Sequence, residues 1–113
     1  MLLTITSCEQ KSSNEVIKLG TSPDYAPFEY KKDGQITGFD IELAREIAKT
    51  LGKELEIYEF DFNSLIPAMQ AGKVDFIASG LTITPERLEN VDFSEVYYKT
   101  SISGIGKPDE NLQ

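Results

Sequence analysis

The feature that most constrains the fold is an amphipathic helix pattern between two strand patterns. Over residues 40–51, apolar side chains recur with the spacing of one buried helix face, at Ile41, Ala44, Ile47, Ala48 and Leu51. Asp40 is expected to cap this helix and Gly52 to end it. Residues 16–22 and 54–60 alternate apolar and polar side chains, which predicts a strand on either side. A strand–helix–strand unit of this kind predicts a sheet covered by helices.

Further strand and helix patterns continue this order. Helices are predicted at 64–71 and 85–90, and strands at 28–31, 35–37, 74–78 and 97–105. Pro67 is compatible with its helix because it falls in the first turn. The pair Asp33-Gly34 favours a hairpin turn between the two shortest strands. Together these patterns predict an α/β domain with a mixed or mostly parallel sheet flanked by helices.

The segment 79–87, SGLTITPER, joins a predicted strand to a predicted helix and has the composition of a binding site. Thr84 is suited to cap the helix and Pro85 to begin it. Hydroxyl groups, exposed amides and an arginine guanidinium then lie at one junction, which suits a small carboxylate. Ligands of such sheets bind at the carboxyl ends of the strands, so residues 21–22 and 60–63 are expected beside this segment.

The composition excludes several classes of function. The 113 residues contain no histidine and one cysteine, Cys8, which argues against a histidine-based catalytic site, a disulfide framework and a cysteine zinc site. A net charge of −8 without a basic stripe argues against nucleic acid as a partner. We interpret the acidic clusters as solvated surface and not as a metal or glycosidase site: Glu42, Glu46, Glu54, Glu56 and Glu59. No cofactor is expected. The segment 79–87 lacks the nucleophile–base pair that an enzyme would need.

The amino terminus has the pattern of a lipid attachment site. Residues 5–8, Ile-Thr-Ser-Cys, resemble a bacterial lipobox, in which the cysteine receives the lipid. A complete secretory signal has a basic start and a longer apolar region, so residues 1–15 are interpreted as a truncated lipoprotein signal followed by a polar tether. The alternative is an incidental cysteine in a frayed terminus.

Four strings, in order, carry a resemblance to a known family: GTSPDYAPFEY, GFDIELAREIAKTLG, FNSLIPAMQAGKVDFIASGLTITPER and VDFSEVYY. The chain resembles the amino-terminal part of the bacterial extracellular solute-binding proteins (family 3) that serve polar amino-acid ABC importers. The resemblance implies a type II periplasmic-binding-protein lobe over 16–107 and a hinge-proximal tail at 108–113. It also implies an incomplete first lobe, because the return segment and the second lobe are expected to lie outside this sequence.

The resemblance implies a set of ligand-binding residues: Ser22, Tyr25, Phe62, Ser79, Gly80, Thr82 and Arg87. Arg87 would grip the ligand's α-carboxylate, since its planar fork can make two parallel hydrogen bonds. The 79–82 turn would supply backbone groups and hydroxyls to the carboxylate and amino group. Two aromatic residues, Tyr25 and Phe62, would form walls around the ligand side chain. The structural alternatives are a solvated Arg87 paired with Glu86 or Glu89, locally bonded hydroxyls and core packing of the aromatics.

One position departs from the family pattern. Ser22 stands where several relatives carry an aspartate that contacts the ligand, and a serine cannot neutralise a cationic side chain. The departure weakens, without excluding, a lysine- or arginine-type ligand. Asp24 is near but off the motif position, and Phe28 and Tyr30 are expected to be structural.

The resemblance implies a receptor outside the cytoplasm, at the cell surface or in the periplasm and lipid-anchored through Cys8, that delivers a polar amino acid to a membrane ABC permease. The 113 residues alone are expected to bind ligand weakly or undetectably, and to self-associate through uncovered apolar surface or to have low stability. Three alternatives stay open: the sensor module of a membrane receptor kinase, an enzyme on this scaffold such as a dehydratase or a peptidoglycan lyase, and a structural or adhesive fragment.

Overall fold

A computed structural model describes residues 15–99 and residue 108. Within them the elements are β1 (Val16–Thr21), β2 (Asp24–Tyr25), β3 (Glu29–Lys32), β4 (Gln35–Thr37), α1 (Phe39–Thr50), β5 (Glu54–Glu59), a 3₁₀ turn (Phe62–Ser64), α2 (Leu65–Gln70), β6 (Phe76–Ile77) and α3 (Pro85–Leu88). Strands β5, β1 and β6 form a parallel sheet in that order, and β2, β3 and β4 form a small antiparallel sheet. The predicted α/β class is confirmed.

The two faces of the parallel sheet are covered by different helices. Leu19 of β1 is fully buried in a cluster with Ile41 and Ala44 of α1. A Cβ at the next residue, Gly20, would instead lie 3.3 Å from Val74 and 3.5 Å from Leu65 of α2. Because successive residues of a strand face opposite sides of the sheet, α1 and α2 flank it on opposite sides.

The buried face of α1 is narrower than the sequence pattern predicts. Ile41, Ala44 and Ala48 are buried, but Ile47 is 37% and Leu51 is 54% exposed. The described part of the sheet provides β1 and its two neighbours for this helix to cover. An apolar edge of α1 therefore faces away from the described core.

The start of α1 differs from the prediction that Asp40 caps it. The N-cap is Gly38, and the amides of Phe39 and Asp40 donate to the carbonyls of Pro27 and Phe28 at 2.9 and 2.8 Å. Backbone carbonyls of the preceding loop thus satisfy the orphan amides that a cap would serve. A Cβ on Gly38 would collide with the Phe28 carbonyl oxygen, so glycine is required where the loop meets the helix. The Asp40 side chain is fully buried and does not cap the helix, so it has a different role.

Two further strand predictions differ from the structure. The strand predicted at 74–78 is reduced to β6, although the flanking amides of Asp75 and Ala78 still donate to β1 carbonyls at 2.8 and 3.2 Å. Residues 97–99 are not in a strand, and the rest of the strand predicted at 97–105 lies outside the described residues, as does Cys8. Within the described part of the chain, no helix has both the length and the apolar character to cross a bilayer.

Candidate functional site

The carboxyl ends of the three parallel strands meet at one edge of the sheet, as predicted. The amide of Phe60, just after β5, donates to the Thr21 carbonyl at 2.9 Å. The hydroxyl of Thr21, at the end of β1, donates to the Ala78 carbonyl at 2.9 Å. These bonds fix the segments that follow β1, β5 and β6 relative to one another, and most of the predicted site residues lie on those segments.

Ser22 and Ser79 join two of these segments through a buried hydrogen bond. The Ser22 amide donates to the Ser79 hydroxyl at 2.9 Å, and the two residues are only 4% and 2% exposed. The Ser79 hydroxyl is therefore engaged inside the protein. What Ser79 can offer a ligand is its backbone and the placement of the next residue, Gly80.

Gly80 forms a tight turn against Tyr25 and is held by Asp40, a residue that was not expected in the site. Its φ of +57° is in the left-handed region, and an added Cβ would lie 2.9 Å from the Tyr25 ring. Its amide donates to Oδ2 of Asp40 at 2.7 Å. That amide is thus used within the protein and is not the ligand donor that we expected. An aspartate in the first turn of a helix is so often a cap that the sequence carried no signal for this role.

Arg87 lies beside two other predicted site residues. Its Nη1 donates to the Thr82 carbonyl at 2.7 Å, and the guanidinium carbon lies 5.5 Å from the centre of the Phe62 ring. The hydroxyl of Thr84 accepts the Arg87 amide at 3.1 Å, which confirms the predicted N-cap of α3. Over residues 15–99, no ion pair joins Arg87 to a carboxylate. The guanidinium is oriented by a carbonyl and an aromatic face, so its fork keeps donors for an external anion.

Two concave regions lie at this edge of the protein. A cavity of about 450 Å³ is lined by Tyr25, Asp40, Gly80 and Thr82 and by residues 93–99. A second, more polar one of about 550 Å³ includes Ser22, Asp24, Lys31, Glu59 and Asp61. Arg87 and Phe62 line neither of these regions; they connect to the first through Thr82. Four of the seven predicted residues thus line one or the other region, namely Ser22, Tyr25, Gly80 and Thr82, and they do not surround a single enclosed pocket.

An aromatic cluster forms part of the wall of the first cavity. The rings of Tyr25 and Phe28 are 5.3 Å apart between centroids, and Phe28 meets Tyr98 edge-on at 4.9 Å. Phe39 stacks on Tyr97 at 6.0 Å. Phe28 packs within this cluster and also lines the cavity. Tyr25, which is 48% exposed, keeps a free surface at the cavity.

The acidic groups near the cavity have different environments. Burial, the adjacent Asp40 and Asp24 raise the pKa of Glu29 to about 9. Burial and a hydrogen bond to Asp40 also raise the pKa of Tyr97. Among the side chains that the structure describes, no three His, Cys, Asp or Glu residues group as a metal site. The arrangement described here, with a guanidinium at Arg87 and carboxylates near the cavity, is suited to binding anions and cations.

Comparison with known protein families identifies the family of this chain. Residues 17–112 match the family described as bacterial extracellular solute-binding proteins, family 3. The chain belongs to this family. The family consists of binding proteins that act outside the cytoplasm, and its fold agrees with the expected type II periplasmic-binding-protein lobe.

Two curated relatives are amino-acid-binding proteins. The chain is 48% identical over 103 residues to the arginine-binding extracellular protein ArtP of Bacillus subtilis (strain 168), covering 91% of this chain and 40% of ArtP. It is 46% identical over 98 residues to a probable histidine-binding protein of Campylobacter jejuni, covering 82% of this chain and 38% of that protein. The chain therefore spans about two fifths of the length of these family members.

A solved structure of one lobe is also similar. The arginine-bound form of domain 1 from TmArgBP superposes with a TM-score of 0.72 at 46% sequence identity, covering 74% of this chain and 67% of that chain. This chain thus covers about two thirds of that domain.

Proposed function

We propose that this chain is the ligand-binding first lobe, over 16–107, of a receptor that delivers a polar amino acid to an ABC permease. The observation that carries the proposal is the Arg87 guanidinium, oriented by the Thr82 carbonyl and the Phe62 ring at the edge where the parallel strands end. A guanidinium that is oriented in this way, and that pairs with no carboxylate among residues 15–99, is suited to two parallel hydrogen bonds with an α-carboxylate. Tyr25 would cover the ligand side chain from the cavity wall.

Arginine and histidine are the first candidates for the ligand. The two curated relatives are described as binding these amino acids, and the similar lobe as holding arginine. The polar hollow beside Ser22 supplies carboxylates at Asp24, Glu59 and Asp61, of which Glu59 pairs with Lys31 at 2.9 Å. These carboxylates offer a cationic side chain the charge that serine at position 22 lacks.

The remaining parts of the proposal concern the whole protein. The lipid anchor would be Cys8, and the partner would be the membrane permease, which recognises the lobes closed on the ligand.

The relatives favour this role over a receptor-kinase sensor, because those named here are binding proteins. An enzyme is disfavoured because the matched family and the relatives named here are binding proteins. The exposed apolar edge of α1 supports the expectation that the isolated chain self-associates.

Calorimetric titration of the 113-residue chain tests the proposal. L-Arginine and L-histidine should bind weakly, since micromolar affinity requires about −8 kcal/mol and the site is half of a two-lobed cleft. Agmatine, which is arginine without its carboxylate, should not bind. Arg87→Ala should weaken arginine binding by about 1.5–3 kcal/mol, the usual cost of losing a hydrogen bond to a charged group.

The matched control is Arg45→Ala. Arg45 is exposed on α1, and its described partner is Glu42, whose carboxylate lies 3.4 Å away. This variant should bind arginine like the unmodified chain. Equal binding by the Arg87→Ala variant, or equal binding of agmatine, would remove the carboxylate role from Arg87.

A further inference from the structure

Two buried acidic side chains lie beneath the Gly80 turn. Glu29 of β3 and Asp40 of α1 are both 0% exposed. Asp40 accepts the Gly80 amide on Oδ2 at 2.7 Å and the Tyr97 hydroxyl on Oδ1 at 2.8 Å. Glu29 has no hydrogen-bond partner for either oxygen among the described residues, and its Oε1 would lie 3.7 Å from a Cβ at Gly80. An unpartnered buried carboxyl thus faces the turn that borders the proposed ligand site.

The surroundings favour the protonated form of Glu29. Asp40 already accepts two hydrogen bonds, and two adjacent buried carboxylates cannot both ionise cheaply. The charged groups that act on Glu29 are Asp40 from α1 and Asp24 from β2, with the Tyr97 hydroxyl nearby from the segment after α3. Burial adds to their repulsion and raises the pKa of Glu29 to about 9. At neutral pH, Glu29 is therefore an acid with an O–H to offer to Asp40.

We propose that protonated Glu29 is a positioning residue, which steadies Asp40 and through it the Gly80 turn that the ligand meets. The part that concerns affinity rests on the function proposed above. Ionisation of Glu29 would place a second charge beside Asp40 and disturb the bond to the Gly80 amide. Because the Tyr25 ring packs directly on Gly80, the aromatic wall would shift with the turn.

The sign of the pH dependence follows from linkage. The pKa of Glu29 is raised on folding from 4.5 to about 9, so the folded state holds a proton that the unfolded state has released. The stabilisation from this proton is complete below pH 4.5, decreases as the pH rises above that value, and is gone above about pH 9. Glu29→Gln replaces the acid by a neutral side chain of the same shape, so this contribution should disappear.

A ligand-free NMR titration tests the positioning role directly. The side-chain carboxyl carbon of Glu29 should titrate far above the ordinary glutamate range, and the Gly80 amide resonance should move with the same midpoint. In Glu29→Gln the alkaline transition of Gly80 should be absent. Glu46→Gln, which changes an exposed glutamate of α1, should leave it in place. A Glu29 midpoint near 4.5, or a Gly80 amide that ignores the titration, overturns the inference even if Glu29→Gln does not fold, because both are read in the unmodified chain.

Arginine affinity measured at pH 7 and pH 10 adds the functional part of the test. Between these values the unmodified chain should lose severalfold more affinity than Glu29→Gln; titration of the ligand itself cancels in this comparison. Equal losses in the two proteins overturn the effect on affinity and leave the proposed function intact. If Arg87→Ala binds arginine as tightly as the unmodified chain at pH 7, the proposed role of Arg87 fails, while the NMR titration still decides whether Glu29 positions the turn.

Discussion

Gly80 with its neighbour Ser79 (the Gly80 turn) and the Arg87 side chain (the Arg87 arm) are two parts of one proposed site, and different kinds of contact hold them in place. The turn is fixed by two polar contacts: a buried one between the Ser22 amide and the Ser79 hydroxyl, and a partly buried one between the Gly80 amide and Asp40. The arm is half-buried and is oriented through Thr82 and Phe62 on a helix of 4 residues. Buried polar groups are costly to leave unpaired, whereas exposed ones return to water. Changes in the turn should therefore affect stability, and changes in the arm should affect binding.

The largest expected effect on stability is that of Gly80→Ala. Alanine at φ +57° costs about 1–2 kcal/mol, and its Cβ would also lie 2.9 Å from the Tyr25 ring. Chemical denaturation should show a loss above this backbone cost. In a Tyr25→Ala background the ring is gone, so the loss of stability caused by Gly80→Ala should fall to the backbone cost alone. If Gly80→Ala is as stable as the unmodified chain, the described turn is wrong.

A smaller loss is expected for Ser79→Ala. The substitution removes the acceptor of the Ser22 amide and leaves that amide buried, which typically costs about 1–3 kcal/mol. Chemical denaturation measures this cost. The control is Ser94→Ala, because Ser94 is exposed and its described hydrogen bond is to its neighbour Glu95. Equal stabilities of these two variants would contradict the distinction between the two parts.

The smallest effect on stability is expected for Arg87→Ala. The guanidinium is half-exposed and its contacts are a carbonyl and one ring face, so the free energy of unfolding should change by less than about 1 kcal/mol. Denaturation in the absence of ligand measures this change. A loss as large as that of Gly80→Ala would mean that Arg87 is a structural residue, and the difference between turn and arm would disappear.

Much of this architecture could be predicted from local patterns. The periodicity of α1 and the Thr84-Pro85 start of α3 depend on residues adjacent in sequence, and the structure has both elements. Contacts between distant segments could not be predicted in this way. Asp40 lies 40 residues from Gly80 and 57 from Tyr97, so its two hydrogen bonds depend on how the elements pack. The same limit explains why Ile47, though in phase with the buried face of α1, is exposed.

The site residues also differ in whether the sequence could predict their contacts. Arg87, Thr82 and Phe62 were expected together from the segment that carries them and from the strand end beside it, and they are in contact. β2 and its packing of Tyr25 on Gly80 were not expected, because a strand of 2 residues has too short a pattern to detect. Whether these residues hold a ligand stays a prediction.

A crystal structure of the 113-residue chain grown with L-arginine would show whether Arg87 holds the ligand. We expect the ligand's carboxylate to lie within hydrogen-bonding distance of the Arg87 guanidinium, with Tyr25 against the rest of the molecule. A carboxylate bound elsewhere, for example at Lys31 in the polar hollow, with the Arg87 guanidinium in solvent, would contradict it.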